Sequence, residues 1–155
     1  MIAFTVAGKP QRAIVLLMEL DPRGPRFAAT LTTVVLLVVL ATGWGWLAVL
    51  QTIVFAITAL DPRRGPYGLI YRSLVLPRLG PTAEREDAAP VRFAQLVGFT
   101  FLAVASIGYL SGATVVGTVF AALGLFAAFL NAAFGLCLGC EAYLTARRLT
   151  ARRTA

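Results

Sequence analysis

The sequence contains no histidine, only two cysteines, and seven acidic residues against 14 basic ones. The missing histidine removes the usual general base of a Ser-His-Asp triad, the common haem ligand and the main side chain of most zinc sites. Two cysteines permit at most one intramolecular disulfide. Charge is also missing over long distances: residues 27–60 and 93–140 carry no charged side chain. A soluble helix or strand must turn a polar face to water, so uncharged runs of this length exclude an ordinary soluble fold.

What is present agrees. Hydrophobic residues make up 59% of the chain and the mean hydropathy is +0.81, above the roughly 45–50% apolar content of soluble domains. The chain reads as an all-α integral membrane protein. Its net charge of +7 could suggest nucleic acid, but the basic residues are confined to 1–26, 61–92 and the tail after Glu141. Basic segments flanking apolar spans suit anionic headgroups and the positive-inside rule. The bilayer is therefore the expected partner, and nucleic acid is not.

Residues 1–26 read as a cytoplasmic or interfacial segment. The apolar stretch Ala13–Leu20 is short, and Glu19 and Asp21 stand where a signal peptide would have its cleavage site. No cleaved signal is expected, and Met18 could itself be a start, which leaves the place of the first 17 residues open. A membrane domain is expected over 27–144, with spans near 27–42, 46–60, 93–110 and 115–140. The first hairpin divides at Gly43-Trp44-Gly45-Trp46, where glycines permit a turn and tryptophans suit an interface. Residues 61–92 form a loop rich in proline, within which Tyr67–Leu76 is expected to lie on the membrane surface and Glu84-Arg85-Glu86-Asp87 to be solvated. Residues 145–155 are a basic tail. Asp21-Pro22-Arg23 is echoed by Asp61-Pro62-Arg63; a duplicated two-span unit and similar local entries both explain this, the second better.

The connections at Gly43–Trp46 and Ser111–Thr114 are uncharged. Four spans with both termini and the central loop in the cytoplasm satisfy the charge rule, in the inner (cytoplasmic) membrane. A continuous helix from Val115 to Glu141 would measure about 40 Å at ~1.5 Å per residue, more than the ~30 Å hydrocarbon core. It must tilt, break near Gly135 or leave the membrane, and each case puts Cys137 and Cys140 near the membrane surface. Gly117, Ala121, Gly124, Ala128, Ala132, Gly135 and Gly139 recur at spacings of three or four, which predicts one narrow packing stripe for helix association or a homo-oligomer. On that continuous helix the cysteines face away from the stripe, beside Phe126 and Ala133. Asn131 is expected to act as interhelical glue, with Gln51 as its most obvious partner.

Cys137-Leu138-Gly139-Cys140-Glu141 is the candidate site. On a helix the two thiols share a face at a spacing a disulfide can bridge. Glu141 could relay a proton. At a helix C-terminus, with Glu141 adjacent and only Arg147 and Arg148 as nearby cations, the thiolate is not favoured. Three readings stay open: thiol–disulfide exchange with a soluble partner, two thiolates on a metal shared between copies, or small packing residues. The sequence calls for no cofactor and leaves a quinone or a metal open.

Five blocks, Asp21–Ala28, Pro66–Leu69, Pro77–Pro81, Arg92–Gly98 and Leu130–Glu141 (Leu-Asn-Ala-Ala-Phe-Gly-x-Cys-x-Gly-Cys-Glu), resemble a bacterial domain-of-unknown-function family. Its members are small multi-pass membrane proteins, frequent in actinobacteria. The resemblance covers about Asp21 to Leu144. It implies a membrane location, draws attention to Cys137 and Cys140, and suggests a thioredoxin-like or sulfurtransferase protein as partner. The chain departs from the four-helix quinone-linked disulfide formers, which work on the outer face with further cysteines. The leading expectation is a membrane thiol–disulfide redox component. A non-catalytic membrane scaffold is the alternative, and metal or small sulfur-compound transport is a weaker one.

Overall fold

The computed structural model describes residues 19–80, 82–84 and 86–153. The expectations for the first 17 residues lie outside these. Among the described residues the regular secondary structure is helical except for one antiparallel bridge, in which β1 (Glu19–Leu20) pairs with β2 (Glu86–Asp87).

Two aspartates shape the ends of the first hairpin. Asp21 Oδ1 accepts from the Arg23 backbone N–H at 2.9 Å, and helix α1 (Arg23–Thr42) starts there. Asp61 Oδ1 accepts from Arg63 N–H at 3.0 Å after helix α2 (Gly45–Leu60) has ended. The two Asp-Pro-Arg sequences thus make the same side-chain-to-backbone turn, one before a helix and one after. The echo lies in local turn chemistry. Between α1 and α2 the chain reverses at Gly43, whose φ of 67° is left-handed and suits glycine. Trp44 and Trp46 stand outward at this corner, 67% and 73% exposed.

The connecting segment is helical in three pieces: α3 (Pro66–Ile70), a π-helical turn (Tyr71–Val75) and α4 (Leu76–Leu79). It packs on the bundle end through two tyrosines. Tyr71, 3% exposed, donates from its hydroxyl to Asp21 Oδ2 at 3.1 Å. Tyr67 donates to Gln51 Oε1 at 2.6 Å. Leu69, Ile70, Leu74 and Leu79 point outward, as a segment on a membrane surface requires.

Helix α5 (Ala88–Leu110) is N-capped by Asp87, whose Oδ1 accepts from Ala89 N–H at 3.0 Å. Helix α6 (Thr114–Phe134) returns, and α7 (Leu138–Arg153) ends the described chain. The main interfaces are α1 on α6, α5 on α6 and α2 on α5. Leu36, Val39, Ala48, Leu102, Ala105 and Ala121 form the buried centre. Small residues make it possible. A Cβ on Gly108 would fall 2.6 Å from the Gly117 nitrogen, and one on Gly124 would fall 2.8 Å from Leu102. The first part of the predicted stripe therefore packs within the chain.

Gln51, 1% exposed, donates from Nε2 to Thr32 Oγ1 at 3.2 Å and accepts from Tyr67. Its partner is not Asn131: the amide sits at the α1–α2–α3 junction, where two hydroxyls satisfy both ends of it. Thr52 and Ser106 hydroxyls meet at 3.1 Å across α2 and α5.

Helices α1, α5 and α6 are long and apolar enough to cross a membrane, whereas α2 has 16 residues and falls short by length. Large apolar side chains such as Val34, Leu37, Ile53, Ile107, Val115 and Phe126 are exposed around the bundle. A surface of that kind calls for lipid.

Candidate functional site

Helix α6 stops before the cysteines. Gly135 adopts φ 70°, and its N–H donates to Asn131 O at 3.0 Å while Leu136 N–H reaches Leu130 O at 3.3 Å. A left-handed glycine ends a helix because other residues pay a steric penalty there. Helix α7 then begins, and the Cys137 carbonyl accepts from Glu141 N–H at 3.0 Å. Cys137 thus takes the N-cap position and Cys140 lies in the first turn. The two are joined as a disulfide with their Cα atoms 5.2 Å apart.

This corrects three expectations. The fourth apolar run breaks at Gly135, one of the three cases the sequence allows, so 115–140 is not one helix and Gly135 and Gly139 do not continue the stripe of Gly117, Ala121 and Gly124. Nor do the cysteines share a helix with Phe126 and Ala133. Finally, the thiols stand at a helix N-terminus, not a C-terminus. The partial positive charge there favours a thiolate, where the opposite end would disfavour it. The physical cause is a single residue, Gly135, in a conformation that a spacing argument on an ideal helix does not register.

A cation from another helix also approaches this turn. The Arg26 guanidinium lies over Gly135, with its Cζ 3.5 Å from where a Cβ on that glycine would stand. Arg147 instead lies 5.9 Å from the Tyr143 ring centroid, and Tyr143 packs on Phe93 with centroids 5.7 Å apart. Glu141 is exposed, in the first turn of α7. Helix α7 is held close to α5 at Gly139, where a Cβ would fall 2.6 Å from Ala94 Cα.

Behind the disulfide lies a cavity of about 490 Å³, in the size range of small-molecule sites. Residues of α1, α2, α5 and α6 wall it, α3 closes one side, and Cys137, Leu138 and Gly139 line it at the start of α7. Most lining groups are apolar, including Ala28, Phe55, Phe101, Ala127 and Ala128. Gln95 and Asn131 also line it, and among the described residues their side chains make no hydrogen bond within the protein. Asn131 is therefore a cavity residue and not a partner of Gln51. Sequence reasoning passed over Gln95, Tyr67 and Tyr71. The signal for Gln95 was the same as for Asn131, a lone amide in an apolar helix.

Among the described residues no group of three or more His, Cys, Asp and Glu is placed to hold a metal ion. Burial raises the phenols of Tyr67 and Tyr71 above the ordinary tyrosine value, and Asp21 adds to the effect at Tyr71. Both are therefore hydrogen-bond donors at neutral pH.

No curated protein and no solved structure matches the chain. A family model described as a domain of unknown function (DUF4395) matches residues 20–148, and the chain belongs to that family.

Proposed function

We propose that the protein is a membrane thiol–disulfide redox component in which Cys137 and Cys140 cycle between dithiol and disulfide. The observation that carries this is the placing of the pair at the N-terminus of α7, with Cys137 at the cap and a guanidinium over the preceding turn. A cap-position thiolate is the attacking sulfur, and Cys140 resolves the mixed disulfide. A soluble thioredoxin-like or sulfurtransferase protein is the partner. Leu136 and Leu138, 51% and 44% exposed, flank the thiol as contact points. Glu141 stands beside the pair to accept the proton released when Cys140 attacks.

The arrangement is read as four spans in the inner membrane with both termini and the central loop in the cytoplasm. Arg23, Arg26, Arg63, Arg64 and Arg92 all belong to one end of the bundle, and the turns at the other end are uncharged.

Thiol trapping in cells tests the reading. Cys140→Ser is expected to accumulate a mixed disulfide through Cys137 that reductant dissolves, and Cys137→Ser is expected to accumulate none. A pair that stays in one oxidation state under both oxidant and reductant, with no adduct in Cys140→Ser, would overturn it.

A further inference from the structure

We infer that the cavity behind the disulfide is the site of a lipophilic quinone that exchanges two electrons with Cys137 and Cys140; the inference rests on the redox reading above. Three features point to this ligand class. The cavity is walled mainly by apolar side chains, many of them from the three helices long and apolar enough to cross a membrane, with Asp21, Arg63 and Arg72 at the end closed by the connecting segment, so a lipophilic occupant with a polar head fits it. Its polar features include two amides, Gln95 and Asn131, that have no hydrogen-bond partner among the described residues and can donate to carbonyl oxygens. One cysteine of the redox pair, Cys137, is part of its wall. A flat ring with two carbonyl oxygens on an apolar tail fits all three, whereas an acyl chain would leave both amides unused.

The chemistry balances. The dithiol and the quinone give the disulfide and the hydroquinone: the S–S bond forms between Cys137 and Cys140, two electrons pass to the ring, and the two thiol protons end on the two ring oxygens. Amide N–H groups on those oxygens stabilise the negative charge that develops as the ring is reduced. The two sides of the pair are then divided. Leu136, which is exposed and not part of the cavity wall, presents the outward side to a protein thiol, and the cavity presents the inward side to the quinone.

The test uses the whole protein in lipid nanodiscs, reduced and freed of reductant without air, with decylubiquinone as one oxidant and glutathione disulfide as another. Disulfide formation is followed by thiol labelling and hydroquinone by absorbance. Wild type is expected to form one hydroquinone per disulfide. Asn131→Leu is expected to slow the quinone reaction about tenfold, a typical cost for losing one hydrogen bond to a site, and Ala128→Phe is expected to slow it at least as much by filling the cavity. With glutathione disulfide both variants are expected to match wild type. If glutathione disulfide closes the pair in wild type and the quinone does not, the quinone site is overturned and the redox reading stands. If neither oxidant closes it, the redox reading falls as well. A photoreactive azidoquinone on the unmutated, oxidised protein supplies an independent measurement. Labelling of peptides that contain Gln95 or Asn131 supports the site, and labelling confined to the lipid-facing surface overturns it.

Discussion

Gly139 lies so close to Ala94 that a Cβ on the glycine would stand 2.6 Å from the alanine Cα and 2.7 Å from its Cβ. One backbone therefore rests on another, and the glycine between the two cysteines sets how α7 sits on α5. Adding a side chain must push the helices apart, because neither backbone nor Cβ can turn aside. Gly139→Val is expected to destabilise the protein by about 1–3 kcal/mol, the usual cost of overpacking. Thermal unfolding in detergent measures this. The fraction of disulfide formed at a fixed thiol–disulfide buffer should fall with it, since Cys137 and Cys140 ride on the same turn.

The same turn sets which sulfur reacts. Cys137 occupies the N-cap of α7 and Cys140 the first turn, and Arg26 lies over Gly135. A helix N-terminus is worth roughly 0.3–1 kcal/mol to an anion. In the reduced protein Cys137 is therefore expected to react with iodoacetamide up to about fivefold faster than Cys140 at neutral pH. Arg26→Gln should narrow the difference, and Arg26→Lys should restore part of it. Mass spectrometry of timed alkylation separates the two sulfurs. Equal rates in wild type would count against the assignment of Cys137 as the attacking thiol.

The uncharged runs, the break at Gly43–Trp46 and the placing of the cysteines at the end of the last apolar run could all be read directly, because each depends on composition or on a local turn. The position of the cysteines on their helix could not. It turns on whether Gly135, one of several glycines and alanines at helical spacing, continues the helix or ends it in the left-handed region. Both are permitted to glycine. Once the helix ends there, the sign of the end charge at the thiols reverses, and the face of the cysteines must be reckoned from a new axis. The cavity was hidden for another reason: its walls come from four separate helices, and Gln95 and Asn131 come to line one cavity only after they pack.

Gln51 is buried between two hydroxyls, Thr32 Oγ1 and Tyr67 Oη. Tyr67→Phe leaves the Gln51 carbonyl oxygen without its donor and is expected to cost about 1–3 kcal/mol. Gln51→Leu removes the amide altogether. On that background Tyr67→Phe should cost much less, since no buried acceptor is stranded. A double-mutant cycle by thermal unfolding checks this. Additive losses would show that the tyrosine contributes by packing alone.

Tyr71 gives a pH dependence. Burial, together with the bond to Asp21, raises its phenol above the ordinary value of about 10. The folded state prefers the protonated form, so this contribution is complete below the ordinary value and is lost as pH rises through the folded value. Ionisation would also set a phenolate against the Asp21 carboxylate. Unfolding temperature is therefore expected to fall above about pH 10. Tyr71→Phe should start lower at neutral pH, having lost the Asp21 bond, and should show a shallower alkaline fall.

The number of spans turns on α2. Its 16 residues cover only about 24 Å at ~1.5 Å per residue. Its contacts nevertheless follow α5 from end to end. A Cβ on Gly45 would stand 3.0 Å from Tyr109 Cβ, Thr52 meets Ser106 at 3.1 Å, a Cβ on Gly98 would stand 3.0 Å from the Phe55 ring, and Arg92 Nε donates to Ala59 O at 3.0 Å. The four-span reading therefore puts α2 at the depth of α5, with exposed Trp44 and Trp46 at an interface at its far end. In a Cys137→Ser/Cys140→Ser background, Arg64→Cys is expected to resist an impermeant maleimide in intact spheroplasts, whereas Thr42→Cys and Ala113→Cys are expected to react. If Thr42→Cys and Arg64→Cys behave alike, α1 and α2 do not form a spanning hairpin, and the chain crosses the membrane fewer than four times.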